Sequence, residues 1–137
     1  MPEFKNEKIY DLEERTAIFA ENVILLCKGI VENTITRPII SQLIRAATSI
    51  GANYLETNGA SSKKDFANKI YICKKESQEF RHWLRMLATC YPDKKNTIAK
   101  LWKEAHELSM IFHKISKSTR ADLFLNFKLC FLFLNWF

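Results

Sequence analysis

Three kinds of side chain could carry chemistry in this chain, and their spacing separates them. Glu79-x-x-His82 has the separation by which one helix presents two ligands to a metal in a bundle core. A di-iron bundle needs that pair twice, with two further carboxylates. Here His106 follows Glu104 by two positions, and His113 follows no acid at three or four. Neither a metal nor another cofactor is therefore expected. His106 and His113 stand seven apart without an acidic partner, the pattern of surface groups rather than of an acid–base pair. No Ser-His-Asp set, Gly-rich phosphate loop or HxxxH pair can be assembled. Cys73 falls on an apolar seam and reads as a small hydrophobe. The chain is not expected to be an enzyme.

The basic residues say more. Lys63, Lys64, Lys74, Lys75, Arg81 and Arg85 lie in one helical stretch, and Lys94, Lys95, Lys100 and Lys103 in the next. If those stretches form a hairpin the two sets are close, with Arg37 and Arg45 adding to them from an earlier helix. Such a field would bind RNA or DNA phosphates electrostatically and with little regard to sequence. The plain alternative is helix solubility, helped by intrahelical pairs such as Lys75–Glu79 and Lys100–Glu104. The net charge of +6 is unevenly spread. Residues 1–32 carry seven acids against four bases, whereas residues 33–120 carry sixteen bases against seven acids. A positive body suits an anionic partner.

The elements that must position these residues follow from periodicity. With 137 residues the chain fits one domain, and only three Gly and three Pro argue for long helices. After a loose arm over Met1–Tyr10, Asp11 and Glu14 resemble a capping box. Thr16, Phe19, Val23, Leu26 and Ile30 then alternate steps of three and four, broadened by Ile24, Cys27 and Val31, for a helix over about 12–32. Pro38 sits in the first turn of a second helix, 37–58, whose stripe runs through Ile40, Leu43 or Ile44, Ala47, Ile50 or Gly51, and Tyr54. Gly59 offers a left-handed stop. Gly51, which costs a helix about 1 kcal/mol against alanine, is explained by close approach of another helix backbone. This second helix is expected to be the most enclosed.

Ser62 and Asp65 make a second capping box for a helix over 63–90. Its seam is Phe66, Ile70, Cys73, Ser77, Phe80, Leu84 and Leu87, opposite a face of Lys69, Lys75, Glu76, Glu79 and Arg85. Tyr91-Pro92-Asp93 ends it, Asp93 is the expected cap of the fourth helix, 94–117, and Ile98, Leu101, Ala105, Leu108, Phe112 and Ile115 form the last seam. Short connections between helices of similar length predict an all-α, antiparallel, up-down-up-down four-helix bundle over residues 1–120. Residues 121–137 form an apolar C-terminal extension. It is shorter than the roughly 20 residues a spanning helix needs, is interrupted by Lys128 and has no basic face, so no membrane partner is expected. It reads either as a cover for a groove between subunits or as a stray extension of the reading frame. The charged opening MPEFKNEKIYDLEERT lacks a signal-peptide pattern, so four reduced cysteines and a cytoplasmic location are expected.

The second helix also carries a motif. Arg37-Pro38, then Gln42-Leu43-x-Arg45-Ala46-x-x-Ser49-Ile50-Gly51-Ala52-Asn53-Tyr54-x-Glu56, resembles the signature of the bacterial four-helix-bundle proteins encoded in intervening sequences of 23S ribosomal RNA genes. Asp65-Phe66-x-x-Lys69-Ile70 and Lys75-Glu76-Ser77-x-Glu79-x-x-x-Trp83-Leu84 resemble that family's third helix. The likeness spans about Asp11 to Lys117, and the tail after Arg120 departs from it. It implies a cytoplasmic bundle that assembles as a homo-oligomeric ring, typically a pentamer. Relatives include the accessory variability determinant of diversity-generating retroelements, a basic barrel that binds nucleic acid and the element's reverse transcriptase. On this resemblance Gly51, Asn53, Tyr54 and Glu56 are interface candidates. Asn53 and Glu56 would bond across helices or subunits, with pairing inside one bundle as the alternative.

Overall fold

Local capping decides where each helix begins. The computed structural model describes residues 11–134, and every regular element in that range is helical. The expected arm over Met1–Tyr10 and the last three residues of the tail lie outside the described residues. Helix α1 spans Leu12–Lys28, and the Asp11 side chain accepts from the Glu13 N–H at 3.0 Å, so the cap forms on Glu13 and not on Glu14. Helix α1 stops four residues short of the expected Glu32. The chain there is claimed by the next cap: the Asn33 N–H donates to Thr36 Oγ1, while Asn33 Oδ1 accepts from the N–H groups of Ile35 and Thr36. Helix α2 therefore starts at Thr36 and runs to Glu56. Val31, read as part of the first stripe, is 92% exposed in the turn, and Ile24 is also exposed.

Gly59 does not take the left-handed conformation expected of it; no described glycine has positive φ. Thr57–Gly59 instead tightens into a 3-10 turn, with the Thr57 hydroxyl donating to the Tyr54 carbonyl. Helix α3 spans Lys63–Cys90, capped as expected by Ser62 on the Asp65 N–H, while the Asp65 carboxylate accepts from the Ser61 N–H. Asp93 falls inside a second 3-10 turn, Pro92–Lys94, and helix α4 starts at Lys95. Helix α4 continues through the apolar extension to Leu134. No Gly or Pro follows Pro92 to stop it, and Leu, Phe, Ala and Lys all sustain a helix.

The four helices pack in an antiparallel ring, each against its sequence neighbours, with α1 closing against α4. Helices α2 and α3 are about equally enclosed, each packed between two neighbours and sharing an extensive interface. Helix α3 carries the longer seam. Its seam is buried from Ile70 through Cys73, Ser77, Phe80 and Leu84 to Leu87. Glu76, assigned to the opposite face, is buried as well. Two aromatic pairs tie the diagonals: Phe19 meets Phe80 edge-on at 4.9 Å between centroids, and Tyr54 tilts against Phe112 at 6.1 Å. Burial pushes the Cys27 thiol up to about 11 and the Cys73 thiol up to about 12, in keeping with small core groups.

Gly51 faces Thr16 of α1 at distances that a single β-carbon would still tolerate and a larger side chain would not. A β-carbon there would lie 3.4 Å from Thr16 Oγ1 and 3.7 Å from the Thr16 backbone carbonyl carbon. Thr16 cannot easily give way, because its hydroxyl is bonded to the Leu12 carbonyl at 2.7 Å. Gly51→Val is expected to lower stability by about 1–3 kcal/mol through overpacking of the α1–α2 seam. The midpoint of urea unfolding measures it, and an unchanged midpoint would contradict the contact.

Candidate nucleic-acid interface

Carboxylates are sorted to particular seams of the bundle. On the α2–α3 seam, Arg45 donates to Glu76 at 3.1 Å and to Glu79, and Lys69 pairs with Glu56. Trp83 adds an indole N–H to Glu79 at 3.3 Å. Burial pushes the Glu79 carboxyl up, but the Trp83 and Arg45 hydrogen bonds and the Arg45 charge outweigh it and hold it below its ordinary 4.5. On the α1–α4 seam, Arg15 grips Glu104 through two nitrogens, at 2.6 and 3.0 Å, and reaches Glu107 at 2.8 Å. The Glu104 hydrogen bond outweighs partial burial and raises the Arg15 pKa further.

The α3–α4 side is left to cations and aromatics. Lys74, Arg81 and Arg85 follow each other by seven and four along one stripe of α3. Lys95, Trp102, His106 and His113 do the same along α4 by seven, four and seven. The stripes face each other where the Arg81 guanidinium lies over the Trp102 indole, 4.0 Å from its centroid. Trp102 in turn stacks with His106 at 5.6 Å and 18°. Lys117 and Arg120 extend the α4 stripe by four and three, and the antiparallel register set by Arg81 and Trp102 brings Arg120 level with Lys63 and Lys64 at the start of α3. The face thus runs most of the length of α3, about 40 Å at 1.5 Å per residue.

Of the twelve basic residues expected to gather, Lys63, Lys64, Lys74, Arg81, Arg85, Lys94 and Lys95 lie on or at the ends of this face. Lys103 stands on the outer side of α4 beside it, exposed. Lys75 is also exposed but belongs to the outer edge of α3 nearer α2. Lys100 shares its stripe with Glu104 and Glu107 and so turns toward α1. Arg37 and Arg45 do not join: Arg37 pairs with Glu32 at 3.1 Å beside the α1–α2 turn, and Arg45 is held by Glu76 and Glu79. Trp102, His106, Lys117 and Arg120 were not among the expected residues, although the recurring steps of three, four and seven along α4 carry them. Gly51, Asn53, Tyr54 and Glu56 all find partners within the bundle: Thr16, the Ser49 carbonyl and hydroxyl, Phe112 and Lys69 respectively. Among the described residues no three His, Cys, Asp or Glu gather as metal ligands, and no helix is long and apolar enough to cross a membrane.

The family model for 23S rRNA-intervening sequence proteins matches residues 10–114. The chain belongs to that family. A solved structure from Bacteroides thetaiotaomicron, described as a protein of unknown function from the S23 ribosomal protein family, is similar at 28% identity and a TM-score of 0.71. The likeness covers 78% of this chain and 99% of the other. No curated protein matches the sequence. The family match takes in α1, α2, α3 and the first half of α4 but stops short of Lys117, Arg120 and the apolar extension.

Three outcomes follow from the sorted carboxylates. Arg45→Ala leaves the buried Glu76 carboxylate unmet and is expected to cost about 1–3 kcal/mol. Arg85→Ala, at an exposed position, should stay within about 0.5 kcal/mol of wild type in the same urea titration. Because the folded-state pKa of Glu79 is depressed, its pairing stabilises the fold above the ordinary 4.5 and is lost as pH falls through the lower folded value. Glu79→Gln is therefore expected to flatten the acid limb of stability below about pH 5, read from melting temperatures across that range.

Proposed function

We propose that the protein is a non-enzymatic, cytoplasmic accessory protein that assembles as a homo-oligomer, a pentamer on the family's pattern, and binds structured RNA through its α3–α4 face. The observation carrying this is the sorting of charge. Arg15, Arg45 and Lys69 engage Glu104, Glu107, Glu76, Glu79 and Glu56 on the other seams, so the α3–α4 stripes keep their positive charge. Helix solubility alone would not need a pair of facing stripes without an acid. The family description, naming the 23S rRNA intervening sequence, makes RNA the anion to try first.

A second reading is a scaffold that recruits a protein, such as a reverse transcriptase, without touching nucleic acid. The observation favouring it is the end of α4, where Phe124, Leu125, Leu129 and Leu132 are 46–70% exposed. Affinity capture with and without nuclease separates the two, because a direct protein contact survives digestion.

For the first reading, filter binding of a structured RNA at about 50 and about 200 mM salt should show affinity falling by a factor on the order of a thousand, as expected of six or more phosphate contacts. Replacing Arg85 and Lys95 together by alanine should reduce the slope of log affinity against log salt by about two. No retention at low salt would remove the proposal.

A further inference from the structure

Arg81, Trp102 and His106 form a stack whose polar atoms are poorly served. Arg81 Nε and His106 Nδ1 are both buried, and neither has a hydrogen-bond partner among the described residues. A buried donor or acceptor left unmet is destabilising and calls for an explanation. The two side chains are held by π contacts to one indole, which is itself 40% exposed. Along the two stripes, Arg85 and Lys95 lie to one side of the indole and Lys74 and His113 to the other.

We propose that Trp102 is a stacking platform for an unpaired base, so that the RNA recognised on this face is a loop or bulge rather than continuous duplex. The inference rests on the RNA reading above and goes beyond it in naming the structural class of the ligand. The base displaces the Arg81 guanidinium from the indole. Arg81, freed from the seam, turns its fork to the adjoining phosphate, where Nε finds the acceptor it lacks in the free protein. Stacking on an aromatic ring tolerates any base, and flanking cations hold the backbone on either side, the combination that single-stranded sites use. An A-form duplex keeps its bases stacked inside and can offer this face only phosphates.

The test compares a stem-loop RNA with the same stem closed as a blunt duplex, against wild-type protein, Trp102→Leu and Trp102→Phe. Wild type should prefer the stem-loop, and Trp102→Leu should lose about tenfold on the stem-loop and little on the duplex. Its salt slope should not change, because the indole neutralises no phosphate. Trp102→Phe, which keeps a π face, should recover most of the loss. With Trp83 and Trp136 replaced by Phe, so that Trp102 is the sole emitter, indole emission should be quenched by the stem-loop and not by the duplex. Equal affinity for the two RNAs, a Trp102→Leu loss shared equally by both, or unquenched emission overturns the stacking proposal. Salt-steep binding that Trp102→Leu leaves intact removes stacking alone, whereas no binding of either RNA at low salt removes the RNA reading with it.

Discussion

The arrangement turns on the Arg45 guanidinium, which lies between Glu76 and Glu79 on the α2–α3 seam. Glu76 is buried at the margin of the core, one position before the seam residue Ser77. A carboxylate in that position is tolerated only with a cation and a hydrogen bond to meet it. Once Arg45 is fixed there, Glu79 is drawn to the same side, and the side of α3 that meets α4 carries no acid from this cluster. Arg15 performs the matching task between α1 and α4. Electrostatics inside the bundle thereby decides the sign of the surface outside it.

Much of the fold could be read from the residues because it rests on local rules. The seam from Ile70 to Leu87 repeats at three and four, and a helix has only one way to bury such a stripe. The caps at Asp11 and Ser62 are chemistry between near neighbours in the chain. Gly51 does face another helix, at Thr16, but at ordinary contact distance, so its helix penalty was a weaker guide than the seams. The errors came where two local signals compete. Asn33 and Thr36 bond each other and cut α1 short, although Ile30 continues its apolar stripe. Gly59 can turn left-handed but is not obliged to, and a 3-10 turn with Thr57 bonded to Tyr54 served instead.

The candidate site was less legible, for a different reason. That a lysine or arginine lies on α3 is plain from the sequence, but whether it is free depends on what the adjoining helix sets opposite it. Arg45 and Lys69 read like Arg85 until the register of α2 against α3 brings glutamates to them. Trp102 carried no signal of its own as a single aromatic between two apolar seam positions' neighbours. It gains meaning only when Arg81 comes across from α3 to cover it. Pairings between elements distant in sequence are where single-chain reasoning loses its footing.

Helix α4 is one uninterrupted rod from Lys95 to Leu134. It contains no glycine or proline that would act as a hinge. Its first half supplies Trp102 to the cationic face, and its far end lies about 45 Å away at 1.5 Å per residue. The cationic face and the apolar tip are therefore carried by one continuous helix, which passes through the core at Leu108 and Phe112. Anything docked on that tip would sit on the same helix that bears the indole, with no loop between them.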